Sequence, residues 1–308
     1  MSKTENQKYT IRNYIDTDAD KIAEFDFLSM LAYRYNRDYE ASNIFCAVDA
    51  EENIVGIGHL EPDQTWFFID KSTKPSHFVY KLNLSISLNE KFHCPLEIKN
   101  ELFSTLLNRA NEIRNQYPDK NVTISHTIPS DEIDEMDYFL AKGFYVIRNH
   151  LIMKRDLTEE IPNFPISDHM KIINWKMDTE AEQEEYLRAE AKSDDNGVSW
   201  SLNRLQWTKN GSEWDTFTAF AGDKIVGSVM TWGLDEERSA TENIFVLHEW
   251  RRKGMAKALI TEALKFLKSN GKTEATLGVF GENQKAIALY KELGYKMLFI
   301  NIEFGLDL

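Results

Sequence analysis

Two stretches carry residue types and spacings suited to chemistry. In the first, Arg251-Arg252-Lys253-Gly254-Met255-Ala256-Lys257, a basic turn with one glycine runs into apolar residues at helical spacing. The start of a helix offers unpaired N–H groups and a partial positive charge, so such a turn is a natural cradle for a pyrophosphate. Gly254 lets the backbone come close to a phosphate, Ala256 keeps the approach open, and Arg252 and Lys253 add charge beside it. The second stretch holds Asn283, Ala286, Leu289-Tyr290 and Gly294-Tyr295. Asn283 reads either as a helix cap or as a ligand for polar groups of a cofactor. Ala286, Tyr290 and Leu293 read as one packed stripe, with the alternative that Tyr290 holds its phenol near a reacting atom. The two stretches in order, with a strand between them, favour the chemical reading.

Strands and helices must place these residues. Glu242-Asn243-Ile244-Phe245-Val246 predicts a strand entering the basic turn, and Arg252 to Asn270 a helix, apolar at 255, 259, 263 and 266 or 267 and ended by Gly271. Thr276 to Phe280 follows as a strand, Gln284 to Leu293 as a helix and Met297 to Phe304 as a closing strand. Upstream, Lys171 to Met177 reads as a strand, and Asp178 as the cap of a helix to about Lys192. Asp215 to Ala221 and Ile225 to Trp232 form a hairpin turning at Gly222-Asp223. This alternation predicts a layered α/β domain.

The chain also repeats itself. Ile44 to Gly58, with Ile54-Val55-Gly56, resembles the hairpin containing Ile225-Val226-Gly227, and Asp137 to Leu157 resembles Ala288 to Leu308. The 308 residues suit two domains, and Thr158-Glu159-Glu160 ahead of Pro162 and Pro165 reads as a linker. The expected division is a first domain at 1–157, a linker at 158–166 and a second domain at 167–308. The first copy is diverged: Phe139 stands where Tyr290 stands in the second, and His93 to Phe103, where the phosphate turn would fall, holds no glycine. Its expected role is structural, or as a wall of the substrate cleft. Trp200, Trp207, Trp214 and Trp232 read as core or interface residues, or as lining of that cleft.

The second copy resembles the GNAT acetyltransferase superfamily. One signature of that family (Arg or Gln, two residues, Gly, one residue, Gly or Ala) is met by Arg251, Gly254 and Ala256, and a second by Asn283, Ala286, Leu289, Tyr290, Gly294 and Tyr295. The resemblance covers about 215 to 308 and implies two GNAT-like domains, each a mixed, centrally splayed sheet flanked by helices. It further implies acetyl-CoA as co-substrate, its pyrophosphate on the N–H groups of Arg252 to Lys257 and its pantetheine arm beside the backbone of Ile244, Phe245 and Val246. Asn283 would contact it, and Tyr290 would protonate the leaving thiolate, a phenol of pKa about 10 donating to a thiol of about 8.5. The reaction implied is direct attack by an amine in a ternary complex. For the base that deprotonates the amine, Glu242 comes first and His248 second.

Composition narrows the remaining classes. With 36 Lys and Arg against 50 Asp and Glu, the formal charge of −14 opposes nucleic-acid binding and suits a cationic partner, a small amine or a basic peptide. Cys46 and Cys94 lie away from the motifs, which argues against an acyl-cysteine route, and no histidine pair has metal-ligand spacing. The polar start Met1 to Lys8 and the absence of an apolar run of roughly 20 residues predict a cytoplasmic chain that does not enter membranes. The alternative to an N-acetyltransferase is an acyl-CoA-binding sensor or scaffold without turnover.

Overall fold

The computed structural model describes residues 9–70, 74–92, 95–167 and 169–308. The start Met1 to Lys8 and the pair His93 and Cys94 lie outside the described residues. One series of elements occurs twice. The first copy runs β1 (Thr10–Asn13), α1 (Ala19–Ala23), α2 (Phe27–Tyr35), β2 (Ile44–Val48), β3 (Ile54–Pro62), β4 (Val79–Leu88), α3 (Pro95–Arg114), β5 (Asn121–Pro129), α4 (Ile133–Ala141) and β6 (Tyr145–Asp156). The second runs β7 (Met170–Asn174), α5 (Glu180–Ser193), α6 (Leu202–Lys209), β8 (Asp215–Ala221), β9 (Lys224–Gly233), β10 (Arg238–Val246), α7 (Met255–Ser269), β11 (Glu274–Phe280), α8 (Gln284–Glu292) and β12 (Lys296–Asp307). The correspondence reaches single hydrogen bonds. α4 ends with Gly143 at φ 91° and Phe144 N–H donating to Phe139 O, and α8 ends with Gly294 at φ 85° and Tyr295 N–H donating to Tyr290 O. Phe139 and Tyr290 are therefore equivalent positions.

Two compact units form, Met1–His126 with Gly305–Leu308, and Thr127–Phe304. Segment 158–166 lies inside the second unit, as an irregular strap held on α7: Lys268 Nζ donates to Thr158 O and Glu159 O, and Ile161 and Phe164 pack on the core. Each copy's last strand serves the other copy's sheet. β6 pairs antiparallel with β11 from His150↔Phe280 to Asp156↔Glu274, while the end of β12 reaches β5, where Leu308 N–H donates to Val122 O and Asp307 accepts from Thr123 Oγ1 at 2.6 Å.

In the second unit the strands run β12-β6-β11-β10-β9-β8-β7. β7, β8, β9 and β10 are antiparallel neighbours, and β10 and β11 are parallel. Their sequences explain the burial: β8 (DTFTAFA) and β9 (KIVGSVMTWG) are rich in β-branched and aromatic residues and nearly every position is buried, because α7 covers one face while α5 and α6 cover the other. α7 turns Met255, Leu259, Ala263, Leu264 and Leu267 inward at helical spacing. Several expected boundaries shift; β7 ends at Asn174 rather than Met177, and β12 runs on to Asp307. Thr179, not Asp178, caps α5, because its hydroxyl accepts from Glu182 N–H while Glu182 accepts from Thr179 N–H, a reciprocal pair that Asp178 has no partner to form. α7 begins at Met255 because Arg252 (φ 60°) and Gly254 (φ 80°) adopt the left-handed region. β10 starts at Arg238, four residues before the expected Glu242.

Candidate active site

The turn from Arg251 to Gly254 is shaped by two anchors and two unusual backbone angles. Arg251 does not point outward: its Nε donates to Val246 O at 2.9 Å and its Nη2 to Ser193 O, which ties the turn to the ends of β10 and α5. Among the described residues, none of the N–H groups from Arg252 to Lys257 donates a hydrogen bond, whereas Ala258 N–H already bonds to Gly254 O. A Cβ built on Gly254 would meet nothing within 4 Å. These are the features of an anion cradle: open space, converging donors and the positive end of α7. Lys253 Nζ sits 4.8 Å over the Trp250 ring, and Lys257 is paired with Glu292. The residues present thus fit a pyrophosphate-bearing group, with Arg251 as a positioning residue rather than a charge partner.

Beside the cradle the sheet opens. β10 and β11 pair only at Arg238↔Glu274, Ser239↔Ala275 and Ala240↔Thr276, so the β11-facing backbone of residues 241–246 is left without a strand partner. On its other side, β10 loses register with β9 between Glu242 and Phe245, and Asn243 takes φ 46°. This bulge puts Ile244 into the packing around Tyr290 while Phe245 packs edge-on to Tyr186, ring centroids 5.3 Å apart. The first copy lacks the bulge, and its parallel pair is longer before the strands part. β3 and β4 keep register from Gly56↔Leu88 to Pro62↔Leu82, and β4 pairs with β5 over five positions, with Ser125 Oγ donating to Asn83 Oδ1 at 2.7 Å and His126 Nδ1 2.8 Å from Leu84 O. α3 starts at Pro95, which has no N–H, and carries Glu97 in its first turn, both unfavourable to an anion.

Tyr290 is buried on α8 among Ile287, Leu293 and Tyr295, its ring centroid 5.9 Å from that of Tyr295. Its hydroxyl has no hydrogen-bond partner among the described residues, whereas the Tyr295 hydroxyl lies 3.1 Å from Thr241 Oγ1. Burial pushes the Tyr290 phenol up to about 12. Against a thiol at about 8.5, complete proton transfer is then uphill by roughly 5 kcal/mol, so hydrogen-bond donation to a developing thiolate is the stronger part of what this phenol can do. Asn283 caps α8, its side-chain oxygen accepting from Ala286 N–H at 3.1 Å. That leaves its amide NH2 for another partner.

The two expected bases lie apart. Glu242 accepts from Trp232 Nε1 at 2.9 Å and stands 3.8 Å from Arg204 Nη2, on the bulged strand. His248 lies beyond the strand end, paired with Asp195 at 3.5 Å on the surface. A third acid, Glu190 on α5, is nearly buried at 7% exposure and was not singled out by spacing. Its Oε2 accepts from Trp200 N–H at 3.2 Å, and burial raises its carboxyl to about 7 against the lowering influence of Trp200, Asn243 and Arg204. In sequence it is one of five glutamates in α5, and only the packing of α5 on β9 and β10 distinguishes it. Trp200 and Trp214 are buried in the core with Trp232 packed against it, and Arg204 stacks 4.5 Å over Trp200. Among the described residues no cluster of His, Cys, Asp and Glu has the makings of a metal site, and no helix is long and apolar enough to cross a membrane.

Comparison with known proteins agrees with this geometry. The acetyltransferase (GNAT) family matches residues 172–295. N-acetyltransferase 8 of Homo sapiens is 34% identical over 85 residues, covering 26% of this chain and 37% of that protein. An acetyltransferase of Sodalis glossinidius is 36% identical over 74 residues, covering 24% of this chain and 51% of that protein. The chain thus spans about a third to a half of the length of these curated relatives. A GCN5-related N-acetyltransferase from Sphaerobacter thermophilus shares the fold at TM-score 0.66 and 15% identity, over 98% of this chain and 96% of that one. A tandem GNAT protein from the clavulanic acid biosynthesis pathway does so at TM-score 0.66 and 11% identity, over 97% and 98%. Residues 172–295, which carry the paired motifs, the splayed strands and the open phosphate turn, match the acetyltransferase (GNAT) family, and the chain shares its fold with a tandem GNAT protein.

Proposed function

We propose that the second copy is an acetyl-CoA-dependent N-acetyltransferase acting on an amine, a small molecule in preference to a peptide. The observation that carries this reading is the β10–β11 opening, which ends in a turn whose N–H groups from Arg252 to Lys257 are unspent. When bound, acetyl-CoA supplies an electrophilic thioester carbonyl and a thiolate leaving group. The backbone of Ile244, Phe245 and Val246 holds the pantetheine arm, the N–H groups of residues 252–257 hold the pyrophosphate with Arg252 and Lys253 beside them, and the free amide of Asn283 contacts its polar atoms. Tyr290 donates a hydrogen bond to the sulfur as it leaves. Glu242, anchored by Trp232 and near Arg204, draws a cationic amine toward the bulge. The acidic balance of the chain favours such an acceptor.

Turnover in a Tyr290→Phe variant tests the reading. The phenylalanine keeps the packing of α8, so CoA affinity stays within about twofold while thiol release with a panel of primary amines falls at least tenfold, the lower end of acid-catalysis effects being about 10²-fold. Unaltered turnover would remove Tyr290 from the chemistry. CoA binding without thiol release from any amine would favour an acyl-CoA sensor instead.

A further inference from the structure

Glu190, Tyr186 and Asn243 form a buried polar cluster at the bulge. Tyr186 is completely buried, and its hydroxyl completes no hydrogen bond among the described residues. The Asn243 Nδ2, also buried, has none either, although it faces the Glu190 carboxyl. Glu190 Oε2 takes the Trp200 N–H, and the Asn243 amide faces the carboxyl. Two buried donors without a completed hydrogen bond, the Tyr186 hydroxyl near Ser228 and the Asn243 amide facing Glu190, thus flank a buried carboxylate, and each such group left alone costs about 1–3 kcal/mol. The cost is recovered when a polar guest arrives. Asn243 brings the cluster to the bulge where β10 loses register with β9, within the stretch 241–246 that has no β11 partner and that the proposed acetyl-transfer chemistry occupies.

We propose that Glu190 accepts the proton shed by the acceptor amine, with Asn243 and Tyr186 holding the amine or one intervening water. The inference rests on the acetyltransferase reading above. In the step, an N–H bond of the ammonium breaks and an O–H bond forms on Glu190 Oε1; the electron pair left on nitrogen is the nucleophile, and the proton passes to bulk water after turnover. Glu242 is less suited, because Trp232 Nε1 takes one of its oxygens and Arg204 faces the other. The charged and titratable groups facing Glu190 are Tyr186 on its own helix, Asp194 at that helix's C-terminal cap and Arg204 on α6; Tyr186 also faces Glu242 of β10. Burial favours the neutral acid and Arg204 opposes it, which leaves the carboxyl near 7, suited to exchanging a proton with an amine at neutral pH.

The test has three readings on the full chain. Calorimetry with CoA comes first, on wild type and Glu190→Gln; both bind equally if Glu190 serves only the acceptor, and a wild type that fails to bind CoA sinks the acetyltransferase reading itself. The second, independent of turnover, follows the Glu190 carboxyl by carbon NMR in glutamate-labelled protein, with Glu190→Gln as assignment. A midpoint near pH 7 is expected, and one in the ordinary carboxylate range overturns the proposal. The third measures thiol release with n-propylamine against pH. In wild type kcat/KM falls below about pH 7, and Glu190→Gln lowers it at least a hundredfold and abolishes that acid limb, while Glu242→Gln retains it. A Glu190→Gln enzyme with full activity and the same acid limb overturns the proposal.

Discussion

At the scale of residues, the turn and the tyrosine on which the proposed function rests stand out in the sequence because the residues around them are dictated by local chemistry. Gly254 sits at φ 80°, where a side chain is strained, and Gly294 at φ 85° stops α8, so both glycines carry a conformational reason visible as a motif. Asn283 has two roles that one substitution separates. Asn283→Ser keeps an oxygen that caps α8 but removes the amide, so chemical denaturation should place stability within about 0.5 kcal/mol of wild type. Calorimetry on the same variant should show CoA affinity reduced by about tenfold, the worth of one net hydrogen bond. Equal affinity would make Asn283 a cap alone. What spacing did not reveal was Glu190, because its distinction comes from three elements closing over it: Trp200 ahead of α6, Arg204 on α6 and Asn243 on β10. Nor did it reveal that Arg251 is spent on Val246 O and Ser193 O, an inward use that its basic neighbours conceal.

At the scale of elements, most of the second copy was read correctly in type, from hydrophobic period, and misread at ends set by capping and left-handed residues. The α7 stripe illustrates why type is easy. Ala258, Leu259, Ile260, Ala263, Leu264 and Leu267 are all nearly sealed from solvent, so the period survives any detail of the loop before it. Leu264→Ala should cost about 2–5 kcal/mol by thermal or chemical denaturation, as a core truncation that leaves a cavity. A loss under about 1 kcal/mol would mean that α7 is not the element holding the sheet face. The bulge at Glu242 to Phe245 was invisible by comparison: Asn243 at φ 46° is the only local hint, since asparagine tolerates that region better than most residues. That irregularity creates the candidate site, because an unbroken β9–β10 ladder, such as β3–β4 has, would pair the groups that here stay open.

At the scale of the whole molecule, the repeat was legible but the exchange of last strands was not. β6 and β12 are each 12 residues long and end equivalent copies, so sequence pattern alone lets either close either sheet. Two buried groups give the units opposite responses to pH. Fully buried His59, 2.7 Å from the Tyr33 hydroxyl, is lowered to about 4, so the fold binds fewer protons than the unfolded chain and loses stability as pH falls from about 6.5 to 4. Glu190, raised to about 7, binds its proton more readily in the fold, so its unit loses stability as pH rises from about 4.5 to 7. Each effect amounts to about 3 kcal/mol at most. Hydrogen exchange on β3 and α5 between pH 5 and 7 should show protection, corrected for intrinsic rates, rising with pH in the first and falling in the second, and parallel changes would refute the assignment. The central claim, that the turn before α7 holds acetyl-CoA, is tested most directly by calorimetric titration of acetyl-CoA into wild type, Gly254→Ala and Gly254→Glu. The alanine carries the cost of φ 80° with little added bulk, while the glutamate fills the open cradle with negative charge. Micromolar binding in wild type, weakened modestly in the alanine variant and lost in the glutamate variant, is the predicted result; equal binding in all three, or none in wild type, would contradict the account.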